Sequence, residues 1–209
     1  MIRTLITVAP LLLGVAILLT GQGLQGALLP VRANLEDFST LSIGLMGGAY
    51  FLGFTVGCLR GTRLVRRVGH VRVFAAMTAA ASAAPLLHGL WPEDSLWWLL
   101  RFVTGYCFAV LYMVIESWLN ERSDAKSRGR VFGVYTMVNL GATTAGQMVL
   151  TTGDVRGYFF FVLAAMVYCL VLLPTAISAT MTPSDSRSLW GFQFGSDGSG
   201  GNMLLVSDG

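Results

Sequence analysis

Six long apolar stretches, separated by short gaps that hold most of the charged residues, constrain this chain more than any other feature of its sequence. A helix needs roughly 20 apolar residues to cross about 30 Å of hydrocarbon. Because lipid offers the backbone no hydrogen-bond partners, each stretch must form a helix. We therefore predict an all-α polytopic membrane protein with six transmembrane helices. Their predicted positions are about 6–30, 39–60, 72–91, 96–119, 130–152 and 157–181.

The scarcity of charge excludes an ordinary soluble domain. Only 12% of the residues are charged and 54% are hydrophobic, whereas soluble domains have about 25% charged residues. The net charge of +3 does not indicate a nucleic-acid partner, because the basic residues lie in gaps beside the apolar stretches. In such positions basic residues set membrane topology and meet anionic lipid. The partner that the composition predicts is the lipid bilayer.

The gaps alternate in charge, and this alternation predicts the orientation of the chain. The gaps at residues 60–72 and 122–130 are rich in Arg and Lys. The gaps after the first and third apolar stretches carry acidic residues instead. These are Glu36 and Asp37 in the first of the two gaps and Glu93 and Asp94 in the other. Because short cytoplasmic loops hold an excess of Lys and Arg, we predict a multi-pass protein of the bacterial inner membrane with both termini in the cytoplasm.

The composition changes abruptly after Pro183. Residues 1–183 are expected to form one six-helix bundle, whereas residues 184–209 are rich in Ser, Gly and Asp without helical periodicity. Such a segment cannot bury enough apolar surface to fold. We predict a disordered cytoplasmic tail at 184–209, and the abrupt change favours a truncation or a change of reading frame.

The residues that catalysis or metal binding would need are scattered. Cys58, Cys107 and Cys169 all lie within apolar stretches, where small packing residues are common. The run Gly21–Gly26 matches G-x-G-x-x-G, but a dinucleotide site needs a strand before this motif. The sequence contains no H-E-x-x-H pattern, paired midplane carboxylates or Ser/His/Asp set. We therefore expect no metal, no cofactor and no enzymatic activity.

Polar residues inside the apolar stretches are the candidates for a solute site. Gln22 and Gln25 are three residues apart and share a helix face. Because an amide facing lipid is costly, they either bond a neighbouring helix or line a wet cavity. Arg101 shares a face with Gly105, Phe108 and Tyr112. It either marks a site or an internal partner, or it extends to the outer interface. The predicted transport-pathway residues are Gln22, Gln25, Arg101, Tyr112, Asn139 and Gln147.

Two motifs carry a family resemblance. The segment from Gly57 to Arg72 resembles the basic, glycine-bearing signature between helices two and three of the major facilitator superfamily. The matching positions are Gly57, Arg67, Gly69 and Arg72, while Gly61 stands where that signature usually has an acidic residue. The run from Arg101 to Gly105 is similar to the R-x-x-x-G of that superfamily's fourth helix. The stretch from Trp98 to Gln147 is similar to its YcaD-type branch.

The resemblance extends over roughly Leu11–Pro183 and implies the N-terminal six-helix half of a major-facilitator fold, built as a 3+3 inverted repeat. It implies a secondary transporter, or half of one, that moves a small solute by alternating access. The remaining wall of the site would come from a second six-helix half or another copy. An inactive truncated fragment and a non-transporting scaffold or subunit remain alternatives.

The same resemblance gives roles to residues near the inner side. Glu116 would form a latch with Arg67 or Arg72 that breaks as the halves rock. Alternatively, Glu116 is an interfacial acid that water or Arg122 satisfies. The Gly-Pro pair of the antiporter signature is missing, because Gln147 follows Gly146. The sequence therefore leaves open the solute, the coupling ion and the mode of transport.

Overall fold

The computed structural model describes residues 2–121, 123, 127–172, 194–196 and 202–204. Six α-helices follow one another in this part of the chain, and a short 3-10 turn, Leu150–Thr152, extends the fifth. The helices are α1 (Ile2–Leu35), α2 (Thr40–Val68), α3 (His70–Leu90), α4 (Asp94–Glu121), α5 (Arg128–Val149) and α6 (Phe159–Leu170).

Four helices of the described chain are long and apolar enough to cross a membrane. They comprise Ala9–Leu35 of α1 and the whole of α2, α3 and α4. α5 has 22 residues, but glycines, threonines and two arginines lower its hydropathy. α6 has 12 described residues, and the rest of its predicted span, 173–181, lies outside the described part. The two predicted spans at 130–152 and 157–181 therefore stay predictions.

The second helix extends beyond the predicted span 39–60, and most of the predicted gap at residues 60–72 is helical. α2 continues to Val68, and the break is confined to Gly69, whose φ is 95°. The Gly69 N–H closes the helix by donating to the Val65 carbonyl over 2.8 Å. The arginines do not end the helix, because basic residues such as Arg66 and Arg67 in the last turn are favourable at a helix C-terminus.

Glycines on two helix pairs allow the backbones to touch. A Cβ atom at Gly23 of α1 would collide with the Thr143 carbonyl of α5, and one at Gly146 of α5 would collide with the Thr20 carbonyl of α1. The same holds between α2 and α4 at Gly53 and Gly105. Close approach of this kind is how helices pack tightly where lipid removes the hydrophobic driving force between them.

The helices pair in a regular order. α2 packs mainly on α4, and α1 packs mainly on α5. α3 contacts α4 and α6, and α6 also contacts α1. The core between them is apolar, with fully buried Leu18, Phe108 and Tyr168 at its centre. This arrangement leaves polar side chains of α1, α2, α4 and α5 facing one another.

Part of the predicted tail has regular structure. Two strands, β1 (Phe194–Ser196) and β2 (Asn202–Leu204), pair antiparallel, with Phe194 opposite Leu204. These six residues are the part of the predicted tail that the structure describes. The other residues of 184–209 lie outside the described part of the chain, and there the prediction stays untested.

Candidate functional site

A polar cavity of about 370 Å³ lies among α1, α2, α4 and α5. The structure brings together at this cavity every residue that the sequence predicted for the transport pathway. These residues are Gln22, Gln25, Arg101, Tyr112, Asn139 and Gln147. The sequence analysis did not select Tyr50, Phe51 and Thr104, which also line the cavity.

Gln22 joins three helices at the cavity wall. Its Nε2 donates to the hydroxyl of Tyr50 on α2 over 2.9 Å, and its Oε1 accepts from the hydroxyl of Tyr112 on α4 over 2.8 Å. Asn139 of α5 lies beside the hydroxyl of Tyr112. Both alternatives for Gln22 therefore hold, since the amide bonds neighbouring helices and also lines a cavity.

Gln25 is 1% exposed. Its Oε1 accepts from the hydroxyl of Tyr168 on α6 over 2.8 Å. Its Nε2 is buried without an acceptor in the described part of the chain. A buried amide nitrogen without an acceptor costs about 1–3 kcal/mol, so Gln25 contributes an unused donor to the cavity.

The guanidinium of Arg101 lies over the ring of Tyr50, with its Cζ 4.4 Å from the ring centroid. Such a cation–π contact is one way to hold a cation away from water. The Nε of Arg101 is buried without an acceptor, and among the described residues Arg101 forms no ion pair. Arg101 thus faces the bundle, and no ion pair with Asp94 draws it to the outer interface.

Tyr50 and Tyr168, which the sequence did not single out, form hydrogen bonds with Gln22 and Gln25. A tyrosine in an apolar stretch resembles a packing residue, but its buried hydroxyl needs a partner. Gly21 makes room for one of them, because a Cβ there would lie 2.7 Å from the Tyr168 ring. The signal in the sequence that could have indicated these tyrosines was the pair of glutamines, because a buried amide needs hydrogen-bond partners on other helices.

The run Gly21–Gly26 is explained by packing and not by a cofactor. Gly21 makes room for Tyr168, and Gly23 meets the backbone of α5 at Thr143. Gly26 has nothing within 4 Å of a Cβ position and lies at the cavity lining. In this motif-like run, Gly21 and Gly23 permit contacts with other helices, and Gly26 lies at the cavity lining.

The predicted latch is not formed in this structure. Glu116 is exposed, and within the described residues it forms no ion pair with Arg67 or Arg72. Arg122, the alternative partner, lies outside those residues. The ion pair that the described chain does contain joins Arg32 and Glu36 over 2.6 Å. Arg67 and Arg72 lie at exposed positions beside the α2–α3 break, and the latch stays a prediction.

The signature segment itself is partly a helix interface. Gly57 packs on α4, where a Cβ would lie 2.8 Å from the Tyr106 carbonyl. Gly61 lies against Met113 and Val110, and a Cβ there would collide with the Met113 methyl group. An acidic side chain in place of Gly61 would therefore require the Met113 side chain to move.

Apolar helices long enough to cross a membrane, packed around a cavity with polar side chains, define a multi-pass membrane protein. A family model described as the Major Facilitator Superfamily matches residues 11–196. The chain therefore belongs to that superfamily, and the predicted resemblance is confirmed. Members of this family are transporters and not enzymes.

The curated relatives include the "Uncharacterized MFS-type transporter YcaD" from several Escherichia coli strains. The proteins of strains E24377A, HS and K12 DH10B are each 31% identical to this chain over 145 residues. The match includes 68% of this chain and 37% of each relative. The similarity to the YcaD-type branch is thus confirmed, and this chain spans well under half the length of the relatives it matches. For bacterial relatives of this kind the inner membrane is the usual location.

Proposed function

We propose that this chain is one half of a secondary transporter that moves a small solute across the bacterial inner membrane by alternating access. The observation that carries this proposal is the polar cavity among otherwise apolar helices. Polar and charged side chains inside a membrane are costly, and they mark solute or ion pathways by default. The six predicted pathway residues, together with Tyr50, would touch the solute or its coupling ion.

The pairing of the helices supports an inverted 3+3 repeat with six spans. Exchanging α1 with α4, α2 with α5 and α3 with α6 converts the α2–α4 contact into the α5–α1 contact. The same exchange converts α3–α4 into α6–α1 and leaves α3–α6 unchanged. Transporters with such repeats bind solute near the midplane, between two halves that rock against each other.

A second half, or another copy of this chain, would complete the cavity. Large apolar side chains stand exposed next to the lining, among them Leu52, Leu140 and Met148. The YcaD relatives extend far beyond the matched 145 residues, which are 37% of their length. That extra length is sufficient for a further set of helices.

Accessibility of a single cysteine tests alternating access. In a background with Cys58, Cys107 and Cys169 replaced by Ala, Thr143→Cys places a thiol at the cavity wall of α5. We expect a membrane-impermeant thiol reagent to label it both in intact cells and in inverted membrane vesicles. Water would reach the cavity from each side in turn.

Gly141→Cys is the matched control on the same helix. Gly141 is exposed, has nothing within 4 Å of a Cβ position and does not line the cavity. It lies two residues from Thr143, on a different face of the helix. We expect little labelling there from either side. Labelling of Thr143→Cys from one side only would contradict alternating access, and labelling from neither side would favour a scaffold or an inactive fragment.

A further inference from the structure

The cavity contains a positive charge without a counter-charge. Arg101 is the cation of the lining, and the residues that form the lining include no Asp or Glu. Within the described chain, Arg101 meets the Tyr50 ring but no carboxylate. An unpaired charge away from water is strongly unfavourable. A site built in this way is completed by an anion from outside the described helices.

Two unused hydrogen-bond donors also indicate that the cavity binds an anion. The Nε of Arg101 and the Nε2 of Gln25 are both buried without an acceptor in the described residues. The Tyr168 hydroxyl donates to the oxygen of the Gln25 amide, whereas the amide nitrogen has no acceptor among the described residues. A guanidinium and an amide nitrogen donate only. Carboxylate oxygens are acceptors that match both, and charge-assisted bonds of this kind are the strong ones.

The remaining wall is apolar and aromatic. Phe51, Phe108 and the rings of Tyr50 and Tyr112 line the cavity beside Arg101. The oxygen of Gln22 accepts one hydrogen bond, from the Tyr112 hydroxyl. The volume of about 370 Å³ lies in the lower part of the range for small-molecule sites, roughly 300–1,000 Å³.

We propose that the solute is a small organic anion whose carboxylate binds Arg101 and Gln25 and whose apolar body packs on the aromatic wall. This inference rests on the proposed function, since it names the class of solute that the carrier takes. Arg101 supplies the charge, Gln25 supplies a directed donor, and Tyr168 fixes the orientation of that donor.

The charge preference of the cavity tests the proposal without knowledge of the natural solute. Thr143→Cys, in the same cysteine-free background, is treated with two thiol reagents of similar size. One carries a sulfonate and the other a trimethylammonium group. The labelling rate of the anionic reagent is divided by that of the cationic reagent. This ratio is then divided by the same ratio measured for 2-mercaptoethanol in solution. We expect the cavity to favour the anionic reagent by about tenfold or more.

Three variants assign that preference to the named residues. Arg101→Gln removes the charge, and Gln25→Glu supplies a carboxylate beside it with almost no change of shape. We expect the preference to fall to near the solution value in both. Arg101→Lys keeps the charge and should keep most of the preference. Two independent losses guard against the failure of one variant to fold, and membrane insertion of each is checked by its yield in detergent.

Protection experiments test recognition of the carboxylate itself. Acetate and benzoate are the anionic probes, and benzamide is the neutral counterpart of benzoate with nearly the same shape. We expect benzoate to slow the labelling of Thr143→Cys, and benzamide to have little effect. Equal protection by benzoate and benzamide, or no protection by either anion, overturns the proposal.

The two proposals fail in different ways. An anionic-to-cationic rate ratio at or below the value for 2-mercaptoethanol, with labelling from both sides, overturns the proposal of an anionic solute. It does not contradict the proposal that the chain is part of a carrier. A preference for the cationic reagent does the same, and it would indicate that a carboxylate from a second half neutralises Arg101. Absence of labelling from both sides contradicts the carrier itself.

Discussion

The amide of Gln22 bonds two neighbouring helices at once, α2 through Tyr50 and α4 through Tyr112. Gln22→Leu leaves the hydroxyls of Tyr50 and Tyr112 without this partner. Hydrogen bonds between membrane helices contribute about 0.6 kcal/mol on average and up to about 1.7 kcal/mol each. We expect the free energy of unfolding to fall by about 1–3 kcal/mol, measured by unfolding in mixed detergent micelles.

Gln147→Leu is the control for that measurement. Gln147 lines the same cavity and is exposed, and its side chain forms no hydrogen bond with the described residues. We expect the free energy of unfolding to change by less than about 0.5 kcal/mol, as for surface substitutions away from such features. Equal losses in the two variants would show that the contacts of Gln22 contribute nothing specific.

The individual polar residues of the site were predictable, but their partners were not. Gln22, Gln25 and Arg101 stood out because each is costly in an apolar helix. Tyr50 and Tyr168 did not, because a tyrosine suits either an apolar or a polar neighbour. Whether a tyrosine packs or forms a hydrogen bond depends on which helix lies opposite, and a single sequence does not show which helices are neighbours.

At the scale of the helix, the crossing of α2 and α4 depends on Gly105. A Cβ at this position would collide with the Tyr50 carbonyl and lie 3.0 Å from the Phe54 nitrogen, both in the backbone of α2. Backbone atoms cannot move aside without separating the helices. We expect Gly105→Ala to lower the free energy of unfolding by at least about 1–3 kcal/mol, measured by thermal unfolding in detergent.

Gly44→Ala provides the matched comparison on α2. Nothing lies within 4 Å of a Cβ position at Gly44, and Ala is favoured over Gly in a helix by about 1 kcal/mol. We expect Gly44→Ala to leave the stability unchanged or to raise it. If Gly105→Ala were equally harmless, the close approach of α2 and α4 at this crossing would be wrong.

The helices themselves follow from the apolar stretches, whereas their ends do not. Charge indicates where a helix leaves the lipid, and α2 continues past that point to Val68. Its actual end depends on Gly69, because a φ of 95° is a conformation that few other residues adopt. The sequence contains many glycines, and only the structure shows which of them packs, which breaks a helix and which lines the cavity.

For the molecule as a whole, the pairing of α1 with α5 and of α2 with α4 could not be predicted from the residues. The glycines that permit the α1–α5 and α2–α4 crossings are visible in the sequence, but any small residue on one helix can face any on another. The partners are fixed by the path of the chain through the membrane. Labelling from the two sides of the membrane tests that path directly.

α2 separates two oppositely charged ends of the molecule. Its 29 residues span about 43 Å, more than the roughly 30 Å of hydrocarbon. Glu36 and Asp37 lie just before it, in a cleft that Glu93 and Asp94 also line. The exposed arginines of its last turns lie at the other end. If Arg and Lys stay inside, the acidic cleft must face the periplasm.

The last prediction follows from this separation. In the cysteine-free background, Ser95→Cys lies at the acidic cleft and Val71→Cys lies beside the α2–α3 break, and both positions are exposed. We expect an impermeant maleimide to label Ser95→Cys in intact cells, and to label Val71→Cys only in inverted vesicles. Helix α3 lies between the two positions, so labelling of both from the same side would mean that α3 does not cross the membrane. Labelling with the two sides exchanged would leave the bundle intact and contradict the orientation that the arginines predict.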